Sequence, residues 1–125
     1  MKRMFFLILL CCLMVNNSLF GNPSIDFIKT VHDFGTIKQN TIVKESITFK
    51  NNGDSDLIIK KIRTSCGCTE TKTNKDKISP GEDGILEISF NSGNDEGQVT
   101  KSIYIYTNIP DKEKVVFKIK ANVIK

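Results

Sequence analysis

The chain is 125 residues long, with a formal net charge of +4, 39% hydrophobic residues, four cysteines and no tryptophan. That length accommodates one domain and leaves no room for a second. Lys2 and Arg3 supply two of the net positive charges, and the other lysines are spread along the chain. With no basic cluster interleaved with aromatics, nucleic-acid binding has little support, and the lysines read as a solvated face.

The first segment, "MKRMFFLILLCCLMVNNSLFG", has a basic start, an apolar run from Met4 to Val15, then small and polar residues. That is the layout of a secretory signal peptide over residues 1–21. The apolar run, roughly a dozen residues, is short of the ~20 that a membrane-spanning helix needs. Gly21 ends a cleavage site with Leu19 two residues upstream, so the exported domain is expected over residues 22–125. A lipid anchor at Cys11 or Cys12 is the competing reading. Leu10 and Cys11 precede those cysteines where an acylated protein usually carries a small residue.

From Asn22 onward the sequence alternates instead of showing helical periodicity. "SIDFIK" and "VHDFG" read as the first two strands. His32, the only histidine, falls in the second, and it is expected to be satisfied or solvent-facing there. In "VKESITF", Val43, Ile47 and Phe49 share one face against Lys44, Ser46 and Thr48, with Glu45 the misfit in the apolar row. "NNGDSD" is a turn, and "LIIKKI" is the fourth strand.

Next comes "IRTSCGCTE", where Cys66 and Cys68 flank Gly67. Thiols of exported proteins tend to pair. In an extended strand, residues i and i+2 stand near the upper distance limit for a disulfide, with parallel Cβ vectors. Gly67 relieves that by bending the chain. A three-residue ring contributes only roughly 1.5 kcal/mol by the chain-entropy estimate, so a stabilising staple is a poor explanation. A redox-labile pair is a second reading, although only Arg63 offers a nearby cation to stabilise a thiolate. A soft metal such as Cu(I) is a third. The fourth is simple packing: Ile58, Ile62, Cys66 and Cys68 share parity, which would turn both sulfurs to the core if the strand ran that far.

"SPGEDG" reads as a turn and not a phosphate loop, since no helix or suitably spaced lysine follows. "ILEISF" places Leu86, Ile88 and Phe90 inward. "NSGNDEG" has the composition of a calcium loop without its ligand register or distal glutamate. In "KSIYIYT", Tyr104 and Tyr106 lie opposite Ile103 and Ile105, a candidate contact patch on the outer side. After "NIPDK", "VVFKIKANV" alternates over nine residues, with Val115, Phe117, Ile119, Ala121 and Val123 on one face.

One-sided burial argues for antiparallel sheets. About seven short strands with turn signals between them predict an all-β, immunoglobulin-like antiparallel β-sandwich. The isolated carboxylates at turns and the single histidine assemble no recognisable catalytic set, so no enzymatic activity and no cofactor are expected.

Several of these segments in order, "HDFGTI", "ESITFKNNGDSDLIIKKIRTSCGCTE", "ISPGEDGILEISF" and "GQVTKSIYIYTNIP", resemble the bacterial family named domain of unknown function 1573. The marks are Phe34–Gly35, Asn52–Gly53, Cys66 to Thr69, Pro80–Gly81 and Thr107–Asn108. The resemblance implies an exported immunoglobulin-like sandwich and supplies no activity. The expected function is a non-catalytic cell-envelope module that binds or spaces an unidentified protein or polymer in the periplasm or envelope. The alternative is thiol–disulfide or Cu(I) chemistry at Cys66 and Cys68.

Overall fold

A computed structural model describes residues 21–125. The signal-peptide segment and the anchor candidates Cys11 and Cys12 lie outside the described residues.

Nine strands form two sheets: β1 (Asp26–Phe27), β2 (Val31–Lys38), β3 (Ile42–Lys50), β4 (Leu57–Thr64), β5 (Thr69–Thr73), β6 (Lys77–Ile78), β7 (Asp83–Asn91), β8 (Gly97–Thr107) and β9 (Lys114–Ile124). The order is β1-β3-β7-β5 in the four-stranded sheet and β2-β9-β8-β4-β6 in the five-stranded one. The expected all-β sandwich is present, with three differences. β5 and β6 are additional strands. They escape a pattern search because "TETKT" has no apolar residue and "KI" is only two residues long. The first strand shrinks to Asp26–Phe27. The five-stranded sheet is mixed and not wholly antiparallel, because β2 runs parallel to β9.

The alternating residues do what period two demands. Phe117, Ile119, Ala121 and Val123 of β9 face Leu86, Ile88 and Phe90 of β7 across the sandwich, all of them buried. Aromatic rings close one end: Phe27 lies 5.4 Å from Phe49 and 5.2 Å from Phe117, centroid to centroid. In β4 the parity is different from the one expected. Leu57 and Ile59 are buried, and an irregularity between Ile59 and Lys61 resets the alternation so that Ile62 faces inward. Ile58 therefore points away from the core, paired with Lys77 of β6.

The turns are held by side-chain amides. Asn51 is fully buried, and its side chain satisfies four backbone groups. Its Oδ1 accepts from the N–H of Ser24 (3.1 Å) and Gly53 (2.9 Å), while Nδ2 donates to the carbonyls of Ser55 (2.8 Å) and Ile78 (2.9 Å). Its main chain adds bonds with Glu82 and Gly81. Asn108 repeats the device, accepting from Ile58 N–H at 2.8 Å and donating to the Asp56 carbonyl at 2.9 Å. At Gly53 the N-terminal segment passes so close that a Cβ would collide with the Asn22 carbonyl oxygen, which requires glycine there.

Asn51→Ala strips the partners from four backbone groups at once, two of them carbonyls and two N–H groups. An orphaned group costs ~1–3 kcal/mol when it stays dry, and since only the Ile78 carbonyl bond is fully buried while the other three are part-buried, a loss of about 3 kcal/mol is expected. Thermal unfolding should then shift down by roughly 12–24 °C. A shift of only a few degrees would show that water replaces the amide.

Candidate functional site

Two candidates come from the sequence, the cysteine pair and the tyrosine pair, and the fold puts them in different settings. β4 ends at Thr64, before either cysteine, so the strand does not carry both sulfurs into the core. The chain bends instead through Ser65 to Cys68. That bend brings the Cα atoms of Cys66 and Cys68 to 5.1 Å, within disulfide range, and the two sulfurs are bonded. Cys68 N–H points at the Cys66 sulfur at 3.1 Å. Thr64 Oγ1 spans the same turn, donating to the carbonyls of Cys66 (2.8 Å) and Thr69 (3.3 Å). Both cysteines are half-buried, and Cys68 packs against the core edge while Thr69 is buried beside it.

The turn borders a shallow depression of about 170 Å³ lined by Ile42, Gly67, Cys68, Glu70, Ser89 and Asn91. No third His, Cys, Asp or Glu joins the two sulfurs as a metal-binding group among the described residues. A soft metal would meet at most two sulfurs, and those only after the bond between them is reduced.

Tyr104 and Tyr106 lie on β8, the central strand of the five-stranded sheet, and alternate with the buried Ile103 and Ile105. They face outward and are half-buried. Each ring face carries an ammonium: Lys61 Nζ lies 4.7 Å from the Tyr106 centroid, and Lys114 Nζ lies 5.4 Å from that of Tyr104. The register explains the first contact, since Lys61 is the direct cross-strand partner of Tyr106; Lys114, also opposite Tyr106, reaches diagonally to Tyr104. Such cation–π contacts hold the rings in place as well as covering them.

The misfit Glu45 also finds its reason. It sits on the half-buried side of β3 with its Oε2 3.6 Å from His32 Nε2 on β2, so the pair links the two sheets at their rim. His32 packs edge-on against Phe34 at 4.6 Å. Ser46 and Thr48 line a pocket of about 280 Å³ together with His32, and among the described residues neither hydroxyl is hydrogen-bonded to the ring. At the "SPGEDG" turn a hydrogen bond from the Lys75 ammonium, and then its charge, hold the Glu82 carboxyl below its ordinary value.

A feature missed in the sequence is the gathering of cations on this sheet. Lys114, Lys118 and Lys120 share one parity on β9, a visible signal, but Lys61 and Arg63 join them only through strand pairing. The expectation of scattered lysines with no aromatic between them is thus corrected. They converge because β4 and β9 flank the tyrosine strand.

The sequence matches the family described as "Protein of unknown function (DUF1573)" over residues 25–123. No curated protein matches the chain. Among solved structures, the fold resembles a protein of unknown function from Porphyromonas gingivalis W83. The TM-score is 0.68 at 19% identity, over 86% of this chain and 51% of that one. It also resembles a PapD-like domain of human CEP192, with TM-score 0.63 at 8% identity over 83% of this chain and 87% of that one. A third likeness is to the Vibrio cholerae VesB protease, with TM-score 0.63 at 15% identity over 81% of this chain and 32% of that one. This chain thus spans about half of the Porphyromonas protein and about a third of VesB. At these identities the likeness is one of fold.

The bridge between Cys66 and Cys68 closes a ring so small that its removal should be mild. Cys66→Ala/Cys68→Ala is expected to lower unfolding free energy by no more than about 1.5 kcal/mol. Intact mass of the untreated protein should show neither sulfur of this pair labelled by a thiol alkylator until reductant is added. Labelling without reductant would contradict the bridge.

Proposed function

The chain belongs to the family of proteins of unknown function DUF1573, and on that premise we propose that it acts as an exported, non-catalytic binding module of the bacterial cell envelope. The observation that carries this reading is the outward tyrosine pair on the central strand of the five-stranded sheet, braced by Lys61 and Lys114. Tyrosines anchor contact surfaces because they add large amphipathic area at low entropic cost, and arginine is enriched beside them at such anchors. Preordering by the lysines lowers that cost further. Arg63, directly paired with Tyr104, extends the surface.

Two further features support the reading. A concavity of about 400 Å³ beside the N-terminal segment has Ser24, Thr30, Asp26 and Lys112 in its lining, but no hydrogen bond among the described residues pairs either hydroxyl with the carboxylate or the ammonium. Catalysis of acyl or phosphoryl transfer asks for such a pairing. The second concerns the proposed cut after Gly21. The Asn22 carbonyl accepts from Asp54 N–H at 2.9 Å, and Pro23 is buried. A cut after Gly21 keeps these contacts and, among the described residues, forfeits the bond from Ser55 Oγ to the Gly21 carbonyl.

The intact mass of the protein recovered from its producing bacterium should correspond to a chain beginning at Asn22. A lipid-bearing mass starting at Cys11 or Cys12 would replace the free form by an anchored one. Tyr104→Ser/Tyr106→Ser should abolish capture of the partner from envelope extract, while the unfolding midpoint falls by only the few degrees expected for two half-buried rings. Loss of capture that merely tracks loss of folding would count against the surface.

A further inference from the structure

The two outer faces of the sandwich differ in charge, and the strand register shows by how much. On the five-stranded sheet the outward positions carry Lys38 of β2, Lys61 and Arg63 of β4, and Lys114, Lys118 and Lys120 of β9. Lys77 of β6 adds a seventh cation, paired with Asp56 at 3.3 Å. Against them, Asp33, opposite Lys120, is the one carboxylate at an outward position of these strands. The other sheet balances Lys44, Lys50 and Lys72 with Asp26, Glu70, Asp83 and Glu87. There Lys72 and Glu87 form an ion pair at 3.4 Å. A chain with a net charge of only +4 thus concentrates its positive charge on one face. Among the described residues, Lys38, Lys61, Arg63, Lys114, Lys118 and Lys120 have no carboxylate partner within ion-pairing distance.

We propose that the outer face of the five-stranded sheet binds an acidic polysaccharide, its carboxylates or sulfates held by Lys61, Arg63, Lys114, Lys118 and Lys120 around Tyr104 and Tyr106. The proposal rests on the binding-module reading and adds the chemistry of the partner. Like charges this close are tolerable in water but lower the stability of the compact state, and a polyanion relieves their repulsion. The spacing suits a linear polymer. Cations recur about 7 Å apart along β9 from Lys118 to Lys120, and the Lys61–Tyr106–Lys114 row crosses about 10 Å over three strands.

Shape decides between the polyanions. Adjacent strands rotate by about 20–25°, so a five-stranded sheet presents a twisted strip and not a plane. A planar anionic membrane would touch only part of that strip, whereas a flexible glycan follows it. Single-stranded nucleic acid binds by stacking bases on open aromatic faces. Here Lys61 and Lys114 stand over those faces, leaving point charges and tyrosine hydroxyls as the recognition groups.

The test is a titration of the purified protein with alginate, a polyuronate, and in parallel with neutral dextran, an oligo-dT strand and vesicles containing phosphatidylglycerol. Alginate should bind, dextran should not, and the affinity for alginate should fall steeply between low and moderate salt. Lys118→Glu/Lys120→Glu and, separately, Lys61→Glu/Arg63→Glu should each weaken binding at least about tenfold. Lys44→Glu/Lys72→Glu on the opposite sheet removes the same net charge and should leave the affinity within about twofold. Equal weakening by the opposite-face variant would overturn the assignment of the face. Tighter binding of oligo-dT or of the vesicles would overturn the glycan. No binding of any polyanion, with Tyr104- and Tyr106-dependent capture of another partner intact, would overturn the anion assignment and leave the binding module standing.

Discussion

One buried amide ties the sandwich together where its chain segments would otherwise drift apart. Asn51 follows the last residue of β3, and from there its side chain bonds the N-terminal segment, the β3–β4 turn and β6. Irregular chain at the end of a sandwich cannot supply its own ladder bonds, and dry polar groups left unpaired are costly. A side chain with two donors and two acceptor sites, placed between them, satisfies four such groups at once. The short strands β1 and β6, two residues each, have almost no ladder of their own. Their position depends on this amide and on the aromatic cluster of Phe27, Phe49 and Phe117.

The residues on which the sequence resembles the family serve the same end. Gly35 takes positive φ at the irregularity in β2, and Phe34 beside it stacks toward Phe90 at 6.3 Å. Gly53 lets the N-terminal segment pass, and Gly81, also at positive φ, donates its N–H to the Asn51 carbonyl. Thr107 is buried and accepts from Ile109 N–H, next to the bridging Asn108. The Cys-Gly-Cys-Thr block bends the chain from one sheet into the other, from the end of β4 to the start of β5. These marks position backbone, and none of them brings catalytic groups together. The residues that carry the family resemblance are therefore residues of the fold, and the proposed contact surface lies apart from them on the outer face of the five-stranded sheet.

Most of the fold was legible because burial on one side imposes a period of two. β7 and β9 read directly from "ILEISF" and "VVFKIKANV", and β3 read correctly except for Glu45. Glu45 was opaque because its reason, His32, lies in the other sheet. β5 was invisible because its inward residues are threonines: Thr69 is buried, and Thr71 and Thr73 are half-buried. The parity of β4 failed at a single irregularity, since one extra residue turns every following side chain over.

The candidate surface divides in the same way. The sequence by itself determined that Tyr104 and Tyr106 face outward and that Lys114, Lys118 and Lys120 share a side, because alternation within one strand is a local property. It could place Cys66 and Cys68 two residues apart without saying whether they meet, since that depends on where β4 ends. Only the tertiary structure decided that β4 and β9 flank the tyrosines, that their cations merge into one basic face, and that the chain bends at Gly67 to join two sulfurs. Strand neighbours are set by packing across the whole sandwich, and charges far apart in sequence become one surface only when the sheets close over a shared core.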